Sequence, residues 1–280
     1  MRVLVPYALA LLLLVGIGSP CAGAEQAAMM RKHHPWGTYQ AGAWKLVRTV
    51  TETFETSGQM TSITEAKTSL QGVSDEGVTL QVQVGIEIGG KRFDAPPEIV
   101  KQGFDNELAG PGATVRELGS GQVTIQDQKI DCKIQQWERT DVTGKTTAKV
   151  FYSDTVEPYV LRRETVRTDP QGKNRSETLY EVIAMGVPYS VLGEILSTAH
   201  VKTVHKDAEG GTTTTFARIS MDVPGGVICH TLKEVNQKGC LMRQASLELV
   251  DYSLTPERER GLFHHRRPSR FRKSHRTSLY

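Results

Sequence analysis

The sequence predicts a mainly β or α+β protein with one large, curved antiparallel sheet of long hairpins and one or two short helices packed on it. Three observations predict this class: a long alternating segment, Thr-rich segments joined by short turns, and an internal similarity. A chain of 280 residues, of which 38% are hydrophobic, is long enough to bury a sizeable core. The composition excludes the collagen-like, disulfide-dense and intrinsically disordered classes.

Residues 78–88 are the clearest strand in the sequence. Apolar side chains occupy every second position from Val78 to Ile88 and alternate mainly with polar ones, which is typical of a half-buried strand. Upstream, residues 43–54 and 60–70 are rich in Thr, whose β-branched side chain suits a pleated sheet. Short turns separate these segments, so we expect an antiparallel meander over residues 43–93.

Residues 144–182 align with residues 211–249 at a constant offset of 67 positions, without gaps. Each copy reads as strand, Pro-containing turn, strand, Gly-containing turn and strand, which predicts an internal repeat forming two parts of one continuous sheet. A chance alignment of two Thr-rich hairpins is the alternative. The identical pairs are Gly144/Gly211, Thr146/Thr213, Thr147/Thr214, Ser153/Ser220, Val156/Val223, Val160/Val227, Gly172/Gly239 and Glu181/Glu248.

Two segments interrupt the strand pattern and predict short helices. In residues 187–199, apolar side chains recur in a narrow helical stripe at Val191, Leu192, Ile195 and Leu196. A second helix is expected at residues 96–104, where apolar side chains share one face after two prolines.

The first 24 residues have the pattern of a secretory signal peptide. Arg2 precedes an apolar run at residues 9–17, and small residues at 22–24 favour cleavage between Ala24 and Glu25. The apolar run is shorter than the ~20 residues that span a bilayer. We therefore expect a secreted or periplasmic protein that is not an integral membrane protein.

Charge is distributed unevenly along the chain, although the formal net charge is only +3. Residues 256–280 carry eight basic and two acidic side chains, which leaves the body mildly acidic. We therefore expect no nucleic-acid partner. The sequence predicts a flexible segment at 25–39, a β-rich domain at 40–255 and a disordered basic tail at 256–280. The tail is expected to contact anionic envelope surfaces, and a solvated C-terminus without a role is the alternative.

Three cysteines follow the signal peptide: Cys132, Cys229 and Cys240. An odd number leaves at least one thiol free or intermolecular, even though export permits disulfides. A hairpin turn at residues 236–239 would place Cys240 opposite Val235 and far from Cys229. Small buried side chains are the favoured interpretation, and the disulfide state stays open.

The search for catalytic chemistry assigns no catalytic residue, cofactor or metal, because no phosphate-binding loop or zinc-hydrolase motif occurs after residue 24. His33 and His34 are adjacent without a third ligand, so a solvated linker is expected rather than a metal site. Ser153 reads as a turn residue whose hydroxyl bonds nearby backbone. Cys229 and His230 are neighbours on a strand and point to opposite faces. We predict that the protein is not an enzyme.

A signal peptide followed by Thr-rich antiparallel hairpins and a short apolar helix resembles the periplasmic lipoprotein-carrier type of fold. The resemblance covers residues 40–255 and implies an open half-barrel, closed by helices, that holds acyl chains. The stretch from residues 34–37 through Trp44 to residues 49–53 is also similar to the start of an uncharacterised family of secreted bacterial proteins.

Together these features predict an exported, non-enzymatic β-rich binding module that holds an apolar or acyl ligand, such as a lipid, on the inner face of its sheet. Residues 78–88 and 187–196 are expected to line or cover one cavity, and the alternative is that they only form the core. A second hypothesis is an envelope scaffold or interaction protein without a ligand pocket. Ligand identity, ligand-facing residues and oligomeric state stay open.

Overall fold

The computed structural model describes residues 31–56, 58–75, 77–104 and 113–255. These residues form fourteen strands of one curved antiparallel sheet that is not closed into a barrel, with a short 3-10 helix at Arg31–His33. The predicted fold class is confirmed. The strands are β1 Trp44–Glu55, β2 Gly58–Ser74, β3 Gly77–Ile88, β4 Lys91–Asp94, β5 Glu98–Gln102, β6 Ala113–Ile125, β7 Gln128–Asp141, β8 Gly144–Tyr152, β9 Val160–Thr168, β10 Asn174–Val191, β11 Glu194–Asp207, β12 Thr212–Ile219, β13 Val227–Val235 and β14 Leu241–Ser253.

The strands lie in the order β4-β3-β2-β1-β14-β13-β12-β11-β10-β9-β8-β7-β6, and β5 also pairs with β3. The first strand therefore pairs with the last, with Trp44 opposite Ser253. This pairing joins the predicted meander of β1, β2 and β3 to the rest of the sheet.

The predicted helix at 187–199 is wrong, because this segment is a β-hairpin. Val187 pairs with Thr198, and Tyr189 pairs with Leu196 across the β10–β11 ladder. A two-residue turn at Leu192 and Gly193 closes it, both with positive φ, as a type I′ hairpin turn requires. The apolar residues Val191, Leu192, Ile195 and Leu196 surround this turn. Their spacing is also that of one side of a helix, so the sequence pattern fits both structures.

The predicted helix at 96–104 is also wrong. Residues Glu98–Gln102 form β5, which pairs with β3 through Leu80 opposite Val100 and Val78 opposite Gln102. This strand satisfies backbone groups along the outer side of β3, which a helix in the same place would leave unpaired.

The two similar segments have the same strand registers at the offset of 67 residues, and their strand bounds agree except that β12 begins one residue late and β14 ends earlier than β10. Lys145 lies opposite Thr168 in the first segment, and Thr212 lies opposite Val235 in the second. Their connectors also correspond: Ser153 donates its backbone N–H to the carbonyl of residue 159, and Ser220 donates to that of residue 226. These correspondences agree with the internal repeat that the sequence predicts, which stays a prediction.

All three cysteines in the described residues are free thiols. Cys132 is buried, as expected for a small apolar side chain. The expected position of Cys240 opposite Val235 is wrong, because Val235 pairs with Leu241 and the backbone N–H of Asn236 bonds the carbonyl of Cys240. The loop is therefore one residue longer than the sequence suggested.

Candidate functional site

Residues 31–42, which we call the N-terminal strap, are anchored first to the connector between β8 and β9. The Nε2 atom of His33 lies 3.0 Å from Oδ1 of Asp154. The His33 ring also meets Tyr152 and Tyr159 edge to face, with centroid distances of 5.6 and 5.2 Å. Edge-to-face contacts of this kind are favourable beyond their buried area, so the ring fixes the start of the strap.

The strap is anchored a second time, to the connector between β12 and β13. The backbone N–H of Gly225 donates to the carbonyl of Pro35 at 3.1 Å, and the Tyr39 hydroxyl donates to the carbonyl of Met221. Between these contacts, Trp36 packs against a buried cluster that belongs to β2 and β3: Leu70, Val78 and Leu80. The two corresponding connectors of the similar segments thus both hold the strap.

The prediction that His33 and His34 belong to a solvated linker is wrong, because their exposed fractions are only 3% and 0%. The Nδ1 atom of His34 accepts a local hydrogen bond from the backbone N–H of Trp36. The contacts of His33 with Asp154 and of His34 with Phe104 join residues far apart in the chain, which a local sequence pattern cannot show. Within the described ranges, no group of three His, Cys, Asp or Glu residues could hold a metal ion. Residues 25–30 lie outside the described residues.

Asp154 links the strap to the sheet through two lysines and the His33 ring. One carboxylate oxygen lies 2.7 Å from the ammonium of Lys133, and the other lies 3.0 Å from His33 and 3.5 Å from Lys32. The hydrogen bond from Lys133 lowers the pKa of the Asp154 carboxyl. Next to it, the Ser153 hydroxyl accepts hydrogen bonds from the backbone N–H groups of residues 155 and 156, the turn role expected from the sequence.

Protonation of His33 is expected to destabilise the folded protein. Burial lowers the pKa of this imidazole, and the opposing effect of Asp154 does not restore it. Because the folded state then binds a proton less tightly than the unfolded chain, stability is full above about pH 6.5 and falls as the pH drops below it. The free energy of unfolding, measured in urea, should differ less between pH 7.5 and pH 5.5 for His33→Gln than for the unmodified protein. The difference does not vanish, since burial also lowers the pKa of His200 and His230. An unchanged or larger difference for His33→Gln would contradict the attribution of this pH dependence to His33.

The strap and one face of the sheet line an open cavity of about 470 Å³. Its walls come from the strap, the two connectors, the end of β5 and one face of strands β7 to β13. We call this side of the strands the cavity face. The lining residues are His33, Pro35, Trp36, Gln102, Phe104, Trp137, Val150, Pro158, Val160, Arg163, Thr165, Thr178, Tyr180, Thr203, Ile219, Met221, Gly225, Gly226 and Val227.

The polarity of the cavity changes along the strands. Next to the connectors that hold the strap, Ile219 pairs with Val227 and makes the wall apolar. Farther along, Tyr180 lies opposite Thr203 on one side and Arg163 on the other. One step beyond, Thr165 faces Thr178. The side chains of the cavity wall thus change from aliphatic to hydroxyl and guanidinium groups with increasing distance from the connectors.

Lys45 lies outside the cavity lining and fixes the second connector. Its ammonium donates to the carbonyl of Gly225 at 3.1 Å and lies 5.8 Å from the centroid of the Trp36 ring. Burial lowers the pKa of Lys45 to about 8. Lys45 in turn contributes to lowering the pKa of His230, although burial is the larger cause.

The segments that the sequence proposed as cavity walls do not line this cavity. Val78 and Leu80 of the segment 78–88 instead pack in a buried cluster with Trp36. Val191 of the segment 187–196 packs with Val223 and Ile228. The lining residues of β9 and β10 were missed. Their signal was that Glu164 separates Arg163 from Thr165, and that Ser176, Thr178 and Tyr180 alternate with Glu177, Leu179 and Glu181.

Other predictions lie on residues outside the described ranges, namely the cleavage site at Ala24 and Glu25 and the basic tail at 256–280. In the described part of the chain, no helix has the length and apolar character needed to cross a membrane.

The fold and cavity define an open antiparallel β-sheet protein with a ligand-sized space on one face. The sequence matches no family model and no curated protein. Among solved structures, the chain is similar to a proposed outer membrane lipoprotein-sorting protein domain from Vibrio parahaemolyticus, with 9% identity, a TM-score of 0.33, and coverage of 75% of this chain and 84% of that chain. The name of that domain indicates the same type of protein as the resemblance drawn from the sequence, and at this score the match carries no argument about function or ligand.

Proposed function

We propose that this protein is an exported β-rich binding module that holds an apolar, acyl-type ligand in the cavity between the N-terminal strap and the sheet. The observation that carries the proposal is the cavity itself. Its volume of about 470 Å³ lies within the roughly 300–1,000 Å³ of small-molecule sites.

The chemistry of the walls supports an apolar ligand. Trp36, Phe104 and Trp137 contribute aromatic surface, and Ile219 and Val227 contribute aliphatic surface. Ligand sites are typically lined by such side chains with a small number of placed polar groups. An acyl chain would remove this surface from water, at roughly 25 cal/mol for each Å² buried.

A second candidate function rests on His33, since a histidine–carboxylate pair at a cavity wall is also the arrangement of a general base. Asp154 is shared with Lys133 and Lys32, and the Ser153 hydroxyl next to it is engaged by backbone N–H groups. An anchoring role for His33 accounts for these contacts more fully. If the unmodified protein hydrolysed an acyl ester, and His33→Gln lost this activity but still bound the ester, the enzyme would be favoured instead.

A cavity-filling substitution tests the binding proposal. Thr203→Phe places a large ring in the middle of the cavity face of β11 and should weaken binding of a fluorescent fatty-acid probe at least about tenfold, equal to about 1.4 kcal/mol. The matched control is Lys202→Phe, because adjacent side chains of a strand point to opposite faces. Thermal melts establish that both variants fold. Equal binding by Thr203→Phe, or no binding by the unmodified protein, would overturn the proposal.

A further inference from the structure

We infer that the ligand is an amphiphile whose acidic head group, a carboxylate or a phosphate, binds at Arg163 with the hydroxyls of Thr165 and Thr178 beside it. The inference rests on the proposed function and specifies the chemical class of the ligand. It follows from the distribution of charge between the two faces of β8, β9 and β10.

All acidic residues of these three strands lie on the face away from the cavity. They are Glu164, Glu177 and Glu181, and each is adjacent in sequence to a residue of the cavity face. Two of them share one cation there, because Arg162 contacts Glu164 at 2.9 Å and Glu181 at 3.4 Å. The cavity face of β8, β9 and β10 therefore carries no carboxylate.

The same three strands do place cations on the cavity face. Arg163 lies between Val150 and Tyr180 in the register, and Arg167 follows on the same face of β9. On β7, Arg139 occupies that face through its pairing with Thr146, and its buried Nε has no hydrogen-bond partner among the described residues. The carboxylate of Glu117, on β6, is held by the side-chain amide of Gln135 at 2.6 Å. The wall around Arg163 is thus positively biased.

Hydroxyl groups complete the polar end of the cavity. Thr165 and Thr178 face each other across the β9–β10 ladder, one step beyond Arg163. The Thr178 hydroxyl lies 2.8 Å from Nδ1 of His205, which fixes its rotamer. A guanidinium fork with flanking hydroxyl donors matches the planar oxygens of a carboxylate or the oxygens of a phosphate.

The orientation of the ligand follows from the polarity of the walls. The apolar pair Ile219 and Val227 lies at the strap end of the cavity, and Arg163 lies farther along the strands. The acyl chain would therefore point towards the strap, and the acidic group would point away from it. Burial of Tyr180, which raises the pKa of its hydroxyl, keeps this neighbour of Arg163 a neutral hydrogen-bond donor.

The test compares dodecanoate, dodecyl phosphate and dodecanol as displacers of a fluorescent fatty-acid probe. One or both acidic ligands should bind the unmodified protein on the order of tenfold or more tightly than the alcohol, because hydrogen bonds to charged groups are strong when desolvated. The two acidic ligands distinguish a carboxylate source from a phosphate source. Arg163→Met should abolish the preference, so that the acidic ligands bind no more tightly than dodecanol to this variant.

Arg162→Met is the matched control, since it removes a guanidinium from the opposite face of the same strand and should keep the preference. Arg163→Lys covers the case in which Arg163→Met does not fold: it keeps the charge without the fork and should retain only part of the preference. Equal affinity of all three compounds for the unmodified protein would overturn the inference and leave the proposed function standing. Failure of all three to displace the probe, or to bind, would overturn both.

Discussion

Replacement of Trp36 by Ala is expected to lower the free energy of unfolding by about 3–5 kcal/mol, the usual cost of deleting a large aromatic side chain from a core. Only 5% of Trp36 is exposed, and its ring packs on Leu70 and Val78. The strap has few other apolar anchors, so the cavity created cannot be refilled locally. Urea unfolding followed by circular dichroism measures the loss.

The control for this prediction is Phe93→Ala on the edge strand β4. Phe93 is 58% exposed, so its removal should change the free energy of unfolding by no more than about 0.5 kcal/mol. A loss below about 1 kcal/mol for Trp36→Ala would show that the strap contributes little to stability. The N-terminal strap would then not be a firmly packed wall of the cavity.

Replacement of Gly144 by Ala is expected to be the second severe change. Gly144 begins β8 with a φ of +136°, and an added Cβ would lie 1.9 Å from the carbonyl oxygen of Thr168. The backbone conformation alone costs roughly 1–3 kcal/mol for a residue with a side chain. The overlap adds to this cost, because the oxygen belongs to the backbone of β9 and cannot rotate away.

Gly172→Ala is the control that separates the cost of a positive φ from the cost of steric overlap. Gly172 has a φ of +81°, and an added Cβ would meet nothing within 4 Å. We expect it to lose only about 1–2 kcal/mol, the cost of left-handed backbone for a residue with a Cβ. Thermal or urea unfolding of both variants checks the order. A loss for Gly144→Ala no larger than that for Gly172→Ala would contradict the close approach of β8 and β9.

The strands could be predicted where one face alone is buried. Residues 78–88 alternate over their whole length, and β3 has these bounds within one residue. The hairpin at 187–199 was misassigned because it is apolar on both sides of its turn, so the alternation is lost. The Leu192–Gly193 pair between two apolar runs was the available signal, since Gly at the second turn position is typical of type I′ hairpins.

The cavity could not be predicted from the sequence, because its walls come from strands far apart along the chain. The strap residue His33 meets Asp154, a pairing that no local pattern contains. The charge segregation of β9 was nevertheless visible: Arg163 and Thr165 alternate with Glu164. Without the register that places Thr178 opposite Thr165, this alternation could not be assigned to a shared wall.

Quenching of tryptophan fluorescence by a brominated fatty acid tests most directly whether the ligand occupies the cavity. Of the three tryptophans in the chain, Trp36 and Trp137 line the cavity and Trp44 does not. Bromine quenches on contact, so Trp44→Phe should be quenched by the brominated acid and not by its unbrominated parent. A variant with both Trp36→Phe and Trp137→Phe, which keeps only Trp44, should show no such difference. Equal quenching of the two variants, or quenching of Trp44 alone, would contradict a ligand site between the strap and the sheet.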